Sequence, residues 1–247
     1  MTPNQANKLL CRFGNAHDVN VLMRYKKINI FNVLPIAFKL WRGAPIAKIT
    51  NHKWFYGLEF YTNRHTLDPR PDSETLVQAV LKNEPDAKNI LDLGTGGGCL
   101  IISILKNLPN AAGLAIDRSG RALRVARKNR ARHGLNRRLQ LKRGRFTDKI
   151  DGKFDVVISN PPYIPIYDKS VNRAARFDPR IALYAGPDGL DFYRQIARIN
   201  VAPKIYLEIG AGQHDAVTAI FENQGWQFGG AFNDLAGIIR VLMFYKN

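Results

Sequence analysis

From residue 88 onward, short apolar runs alternate with amphipathic stretches, the pattern of βα units built on a mostly parallel sheet. Residues 90–93 read as a buried strand and 100–105 as the start of a helix. A strand over 113–116, a helix over 120–133 closed by Gly134, a strand over 139–141 and a buried strand over 156–159 follow. The alternation continues through a helix over 188–199, a strand over 205–209, a helix over 215–223 that stops near Gly225, and a terminal strand over 238–244. The expected fold class is α/β with a doubly wound sheet. Ahead of it, WFYGLEFYT (54–62) carries aromatic residues on both sides of Gly57, a hairpin signal. The leader is helix-compatible in parts, with Asn4 as a cap for a first helix. The chain thus divides into a short basic helical segment (1–53), a hairpin linker (54–66) and a sheet domain (67–247).

Composition is consistent with that division. At roughly 150 residues per domain, 247 residues make one large domain or a domain with an appendage. Hydrophobic residues make up 45% and charged residues 23%, so the chain can bury a core and is neither disordered nor a coiled coil. No run approaches the about 18 apolar residues of a membrane helix. The longest uncharged stretch near the start, 28–38, is broken by Asn32 and Pro35, and the N-terminus lacks the pattern of a secretory signal; no membrane association is expected. Cys11 and Cys99 are too few for a disulfide framework or a zinc cluster, and the five histidines show no ligand spacing. No metal site is expected, and a reducing cytoplasm is the expected location.

The net charge of +17 is concentrated in two blocks. Residues 1–53 carry nine Lys/Arg against Asp18, and residues 118–149 carry thirteen against Asp148. In the second block Arg121, Arg124, Lys128 and Arg132 fall on one helical stripe while Leu123 and Ala126 can face inward. Such a stripe attracts polyanions. An RNA and an acidic protein partner both fit region 118–149, as does a plain solvated helix face.

The motif LDLGTGGGCL (91–100) places Gly94, Gly96, Gly97 and Gly98 at the carboxyl end of the first strand of the sheet domain, just ahead of a helix. Doubly wound sheets bind ligands at that edge, and glycines let the backbone approach them. A dinucleotide fingerprint would carry a third glycine where Cys99 stands, which weakens a nicotinamide reading. Asp117 ends the next strand, where a carboxylate can accept both ribose hydroxyls of a nucleoside cofactor; the bland alternative is a helix cap. Asp92, inside the first strand, is costly unless paired, and is expected to reach loop amides or the ammonium group of a cofactor.

SNPPY (159–163) follows the strand FDVVIS and should lie at the same edge. Pro161 and Pro162 have fixed φ and no N–H, so the turn is rigid and presents carbonyls. The Asn160 side-chain oxygen and the Pro161 carbonyl can each accept a hydrogen from a planar NH2 group, while Tyr163 offers a ring face. An amide or arylamine nitrogen is a poor nucleophile because its lone pair is delocalised. Accepting both hydrogens aims that lone pair at an electrophile, and orientation of this kind is worth roughly 7 to 11 kcal/mol.

Together LDLGTGGGC, AID (115–117) and SNPPY resemble the class I S-adenosylmethionine methyltransferases that act on planar amino groups, and more specifically the HemK family of protein glutamine methyltransferases, which modify peptide chain release factors. The resemblance extends through RGAPIAKI (42–49), WFYGLEF (54–60), LDPRPDSETLV (67–77), RFDPRIAL (176–183), GPDGLDFYRQI (186–196), LEIGAGQ (207–213) and IIRVL (238–242). It implies a Rossmann-like sheet, S-adenosylmethionine as cofactor and the glutamine of a Gly-Gly-Gln loop as methyl acceptor. Cofactor-binding residues would be Asp92, Gly94, Thr95, Gly96, Gly97, Gly98, Asp117, Arg145 and Asn160; Asn160, Pro161, Pro162 and Tyr163 would hold the acceptor amide. Arg70 and Glu74 would shape the site entrance, or else form a structural ion pair or mark a helix start. Two features depart from the family. Gly144 and Arg145 stand where an Asp and a bulky apolar residue usually precede Phe146, leaving Arg145 to stack on the adenine or join the basic surface. The leader is also shorter than the family's helical recognition domain.

A nucleic-acid exocyclic-amine methyltransferase would share the NPPY logic and use the basic blocks. A non-catalytic binding protein could keep the fold and hold RNA or a partner. Hydrolase chemistry has no support: there is no GxSxG elbow, zinc cluster or P-loop lysine.

Overall fold

Four short helices open the chain: α1 (Pro3–Leu10), α2 (Ala16–Tyr25), α3 (Val33–Trp41) and α4 (Ile46–Thr50). The computed structural model describes residues 2–168, 171 and 173–246. The first helix is capped by Thr2 rather than Asn4. The Thr2 hydroxyl accepts from the Gln5 N–H, the Gln5 side chain accepts from the Thr2 N–H, and Pro3 fills the first helical position, where no N–H is needed. A reciprocal box of this kind satisfies two donors, which a lone asparagine inside the first turn cannot. Leu10, Leu22, Ile36, Leu40 and Ile49 bury together as the core of this helical layer.

Strands β1 (His52–Phe55) and β2 (Leu58–Tyr61) form the expected hairpin around Tyr56 and Gly57, both at positive φ, as a two-residue turn demands. The Tyr56 N–H donates to Glu74 Oε1 at 2.8 Å. Glu74 therefore buttresses the turn and does not shape the site entrance. Phe55 and Phe60 turn into the core of the sheet layer.

The remaining elements are α5 (Glu74–Asn83), β3 (Asn89–Leu93), α6 (Cys99–Asn107), β4 (Ala112–Asp117), α7 (Gly120–Arg132), β5 (Leu139–Arg143), β6 (Val156–Ser159), α8 (Asp191–Ile196), β7 (Lys204–Glu208), α9 (His214–Glu222), β8 (Gln227–Asn233) and β9 (Ile239–Tyr245). Seven strands pair in the order β5-β4-β3-β6-β7-β9-β8, parallel from β5 to β7 and antiparallel at β9 and β8. Strand alternation feeds both faces: Ile90 packs with α5 and α6, whereas Leu91 and Leu93 pack with α8 and α9. This is the expected doubly wound sheet, with helices covering both faces. The chain runs outward through β3, β4 and β5 and then returns to β6, so strand order reverses between β3 and β6.

The structure also departs from the sequence reading at one helix and adds one strand. The helix expected over 188–199 is only α8, because Gly189 at φ 79° cannot be helical and the Asp188 carboxylate accepts the Leu190 N–H in a preceding turn. β8 was not anticipated at all: QFGGAFN holds two glycines and a bulge, and its strand conformation is imposed by pairing with β9. Among the described residues, no helix is long and apolar enough to cross a membrane.

A buried ion cluster fixes the helical layer to the sheet. Lys48 Nζ lies 2.8 Å from Asp68 Oδ1 and 2.8 Å from Asp178 Oδ1, and also donates to the Asn63 and Thr66 carbonyls. Asp178 is further paired with Arg70 at 2.6 Å. Removing one partner of a buried pair strands the other charge. Lys48→Met is expected to cost about 3 kcal/mol or more of unfolding free energy in urea; a loss below about 1 kcal/mol would show that water reaches the cluster and compensates.

Candidate active site

The register Leu93↔Ser159 makes the glycine loop and the NPPY turn leave the sheet side by side, and Ser159 Oγ donates to the Leu93 carbonyl at 2.6 Å. A cavity of about 690 Å³ opens at this edge, within the range of small-molecule sites.

The glycine loop forms one wall. The N–H groups of Gly94 and Thr95 both donate to the Ile116 carbonyl, at 2.8 and 3.0 Å, which ties the loop to the end of β4. Gly94 has φ 74°, and a Cβ there would come within 3.1 Å of the Phe146 ring, so only glycine lets the ring close on the loop. Gly96 N–H donates to Asp117 Oδ2 at 2.8 Å, and Ser119 N–H donates to Oδ1 at 2.7 Å. The cap of α7 is Ser119, whose hydroxyl accepts from the Ala122 N–H, so Asp117 keeps its remaining lone pairs for the cavity it lines. Burial raises its pKa, against the two N–H bonds.

Asp92 and Gly98 lie behind this wall rather than on it. Asp92 is buried; its Oδ2 accepts the Thr95 hydroxyl at 2.6 Å and its Oδ1 has no hydrogen-bond partner. The partner is thus a side chain of the loop, not the loop amides expected. Burial lifts the Asp92 carboxyl to about 7. Cys99 is on the wall, and burial followed by the nearby Asp92 charge pushes its thiol up.

Asn160 and Pro162 reach the cavity; Pro161 is buried, and Tyr163 packs behind the turn against Gly210. Gln213 clamps the turn from that side, accepting from the Gly210 N–H and donating to the Tyr163 carbonyl, both at 3.0 Å. Asn160 Nδ2 donates to Ser73 Oγ at 3.1 Å. Glu208, 2% exposed, lies beside both side chains, and its Oε2 is unpartnered. Burial raises its pKa to about 7, partly offset by hydrogen bonds from Ser73 and Asn160.

Arg145 stands exposed at the rim, and its N–H donates to Asp148 Oδ2. The flat apolar surface comes instead from Phe146, braced edge-on by Phe192 at 5.3 Å. At Gly144 a Cβ would lie 3.2 Å from Asp148 Oδ2 and 3.3 Å from Ile116 Cγ2, so a side chain there would shift both neighbours slightly. Arg70 lines the cavity while pairing with Asp178. Sequence reasoning missed Ser73, Glu208, Gln213 and Asn129. Asn129 is buried, donates to the Gly97 and Tyr61 carbonyls and accepts the Tyr61 N–H, joining hairpin to glycine loop. Its signal was a polar residue on the inward stripe with Ala122, Val125 and Ala126.

A sheet reversing beside such a loop, with an acid at the next strand end, defines a Rossmann-like nucleoside-binding edge, and the relatives of the chain place it among methyltransferases. Residues 65–177 match the family described as methyltransferase small domain. A methyltransferase from Pyrococcus furiosus shares the fold with a TM-score of 0.57, over 82% of this chain and 93% of that one, at 20% identity. The release factor glutamine methyltransferase of Agrobacterium fabrum is 40% identical over 217 residues, 83% of this chain and 75% of the relative. The bifunctional methyltransferase of Rickettsia conorii is 37% identical over 252 residues, 88% of this chain, which spans about half of that longer protein at 48%. The chain belongs to the release factor glutamine methyltransferase family.

Family and fold imply S-adenosylmethionine as methyl donor. The residues present fit it, with a backbone-walled cradle at Gly94–Gly97, a carboxylate at Asp117 and an aromatic face at Phe146.

Because native Asp92 holds its proton to about pH 7 and the unfolded chain releases it near 3.8, the folded state binds more protons in between. Its contribution to stability therefore falls as pH rises across that window. Asp92→Asn keeps the acceptor for Thr95, and is expected to gain stability relative to wild type between pH 5 and pH 8 in urea titrations. A difference that does not change with pH would show an ordinary carboxyl.

Proposed function

We propose that this protein transfers a methyl group from S-adenosylmethionine to the side-chain amide nitrogen of the glutamine in the Gly-Gly-Gln loop of peptide chain release factors, in the cytoplasm. The observation that carries the reading is the orientation of Asn160. Its side-chain nitrogen donates to Ser73 Oγ with the Glu208 carboxylate beside it, which leaves Oδ1 as its acceptor for a substrate. The names of the relatives support the choice of protein substrate.

When bound, S-adenosylmethionine supplies an electrophilic sulfonium methyl. Gly94, Thr95, Gly96, Gly97 and Asp117 would hold it, with Phe146 as the apolar wall; Asp92 and Gly98 support the loop from behind, and Arg145 guards the rim. Asn160 Oδ1 accepts a hydrogen of the substrate amide, which favours a pyramidal nitrogen and directs its lone pair; buried Pro161 fixes the turn that aims this oxygen. Pro162 keeps the turn free of a competing N–H. Tyr163 contributes through its carbonyl, held by Gln213. The methylated nitrogen then sheds a proton to water, because a cationic amide is a strong acid. Residues 1–53 would recognise the protein substrate, through exposed Phe31, Leu34, Phe38 and Trp41 on and beside α3.

The test is transfer of labelled methyl to a release factor, to the same factor with its Gly-Gly-Gln glutamine replaced, and to RNA. Label on the intact factor alone supports the reading; label on RNA moves the assignment to a nucleic-acid exocyclic amine. Asn160→Ala is expected to lower transfer by at least about 100-fold while cofactor affinity, read by calorimetry, stays within about tenfold. Below about pH 7 a protonated Glu208 competes as a donor for Ser73; above it the carboxylate accepts. The wild-type kcat should therefore rise through pH 7, and Glu208→Gln should lower kcat about tenfold, leave KM unchanged and flatten that rise. A flat wild-type profile would remove Glu208 from the mechanism.

A further inference from the structure

The thirteen basic residues of segment 118–149 do not all serve one purpose. Arg138 is turned inward, donating to the Leu105, Leu108 and Ala111 carbonyls, and Arg130 donates to the Leu139 carbonyl and Asn136. Arg132 pairs with Glu59 at 2.6 Å. These are structural. Arg118, Arg121, Arg124, Arg127, Arg137 and Lys142 are exposed, and none forms an ion pair among the described residues.

We propose that this arginine face of α7 binds the phosphate backbone of a nucleic acid, a second binding function beside the methyl-transfer cavity. Arg121, Arg124 and Lys128 step along about 10 Å of helix, so they can neutralise neighbouring phosphates. The face continues to the cavity rim, where His65 has its pKa lowered by burial and then by Arg64, Arg121 and Arg124. Like charges gathered without counter-ions are complementary to a polyanion. Phosphate suits them better than an acidic protein does. Stable protein interfaces rest on apolar anchors, and segment 118–149 exposes no large hydrophobic residue; the exposed Phe31 and Trp41 lie in the N-terminal segment, on and beside α3, instead. Nucleic-acid surfaces are polar and strongly positive, and the guanidinium fork matches phosphate. Lys128 covers the Tyr61 ring at 3.5 Å, so that ring is not free to stack a base, and binding reads charge rather than sequence.

The test measures anisotropy of labelled 20-nucleotide single-stranded RNA and of duplex DNA across salt concentrations. The variants are Arg121→Gln/Arg124→Gln/Arg127→Gln and a matched control, Lys8→Gln/Lys27→Gln/Lys39→Gln, drawn from the other basic block and equally exposed. The α7 triple is expected to bind RNA at least tenfold more weakly, with a salt slope shallower by about 2. The control should stay within about twofold, and the α7 triple should retain methyl transfer. The DNA arm shows which backbone is preferred, and binding is read whether or not methyl transfer is found. Equal losses in both triples would make the effect one of net charge and overturn the assignment. Stronger binding to polyglutamate or anionic vesicles, or loss of release-factor transfer in the α7 triple, would also overturn it.

Discussion

An ammonium group withdrawn from water must find its countercharges at fixed positions, and Lys48 does so by drawing three distant segments to one point. RGAPIAKI supplies the lysine, LDPRPDSE supplies Asp68 and Arg70, and RFDPRIAL supplies Asp178. The last of these leads directly into the stretch containing Ile181, Tyr184 and Gly186, which closes one side of the cavity. The helical layer, the cavity wall and its cover are therefore fastened by the same two carboxylates. The neighbouring residues extend this role: Asp72 pairs with Arg240 on β9, Ser73 holds Asn160, and Glu74 holds the hairpin turn. A single short segment meets four parts of the fold.

Beyond that anchor, position follows from strand order. The reversal between β3 and β6 leaves a gap where two loops can face each other, and the sequence fills it with one loop short of side chains and one short of N–H groups. Helix α7 serves both sides of the boundary. Its buried Asn129 bridges hairpin and glycine loop, while its outer arginines meet solvent.

The parallel strands, the hairpin, the glycine loop and the NPPY turn were legible because each has a local signature: a short apolar run, paired aromatics about a glycine, or residues with restricted φ. What escaped depended on distant partners. Nothing near β8 marks it as a strand, since its conformation comes from β9. Asp117 was legible as the cavity's acid from its place at a strand end, but that the buried Asp92 lies beneath the Thr95 hydroxyl was not, because the path of the loop decides it. Ser73 and Glu208 stand 87 and 48 residues from Asn160 in the chain, and only the fold reveals them as its neighbours. The arginines likewise divide into inward staples and a free face only once their carbonyl partners are seen.

Cys99 occupies the place where a nicotinamide-binding loop would carry a glycine, on the wall of a cavity suited to an alkylating agent. A thiolate there would be the softest nucleophile in reach and would consume the methyl donor itself. Its burial, with the charge of Asp92 adding to it once that carboxyl has ionised, raises the pKa of the thiol. The same desolvation that makes Asp92 reluctant to ionise thus also disfavours a Cys99 thiolate, so a methyl donor held in this cavity would meet a thiol there and not its far more reactive anion.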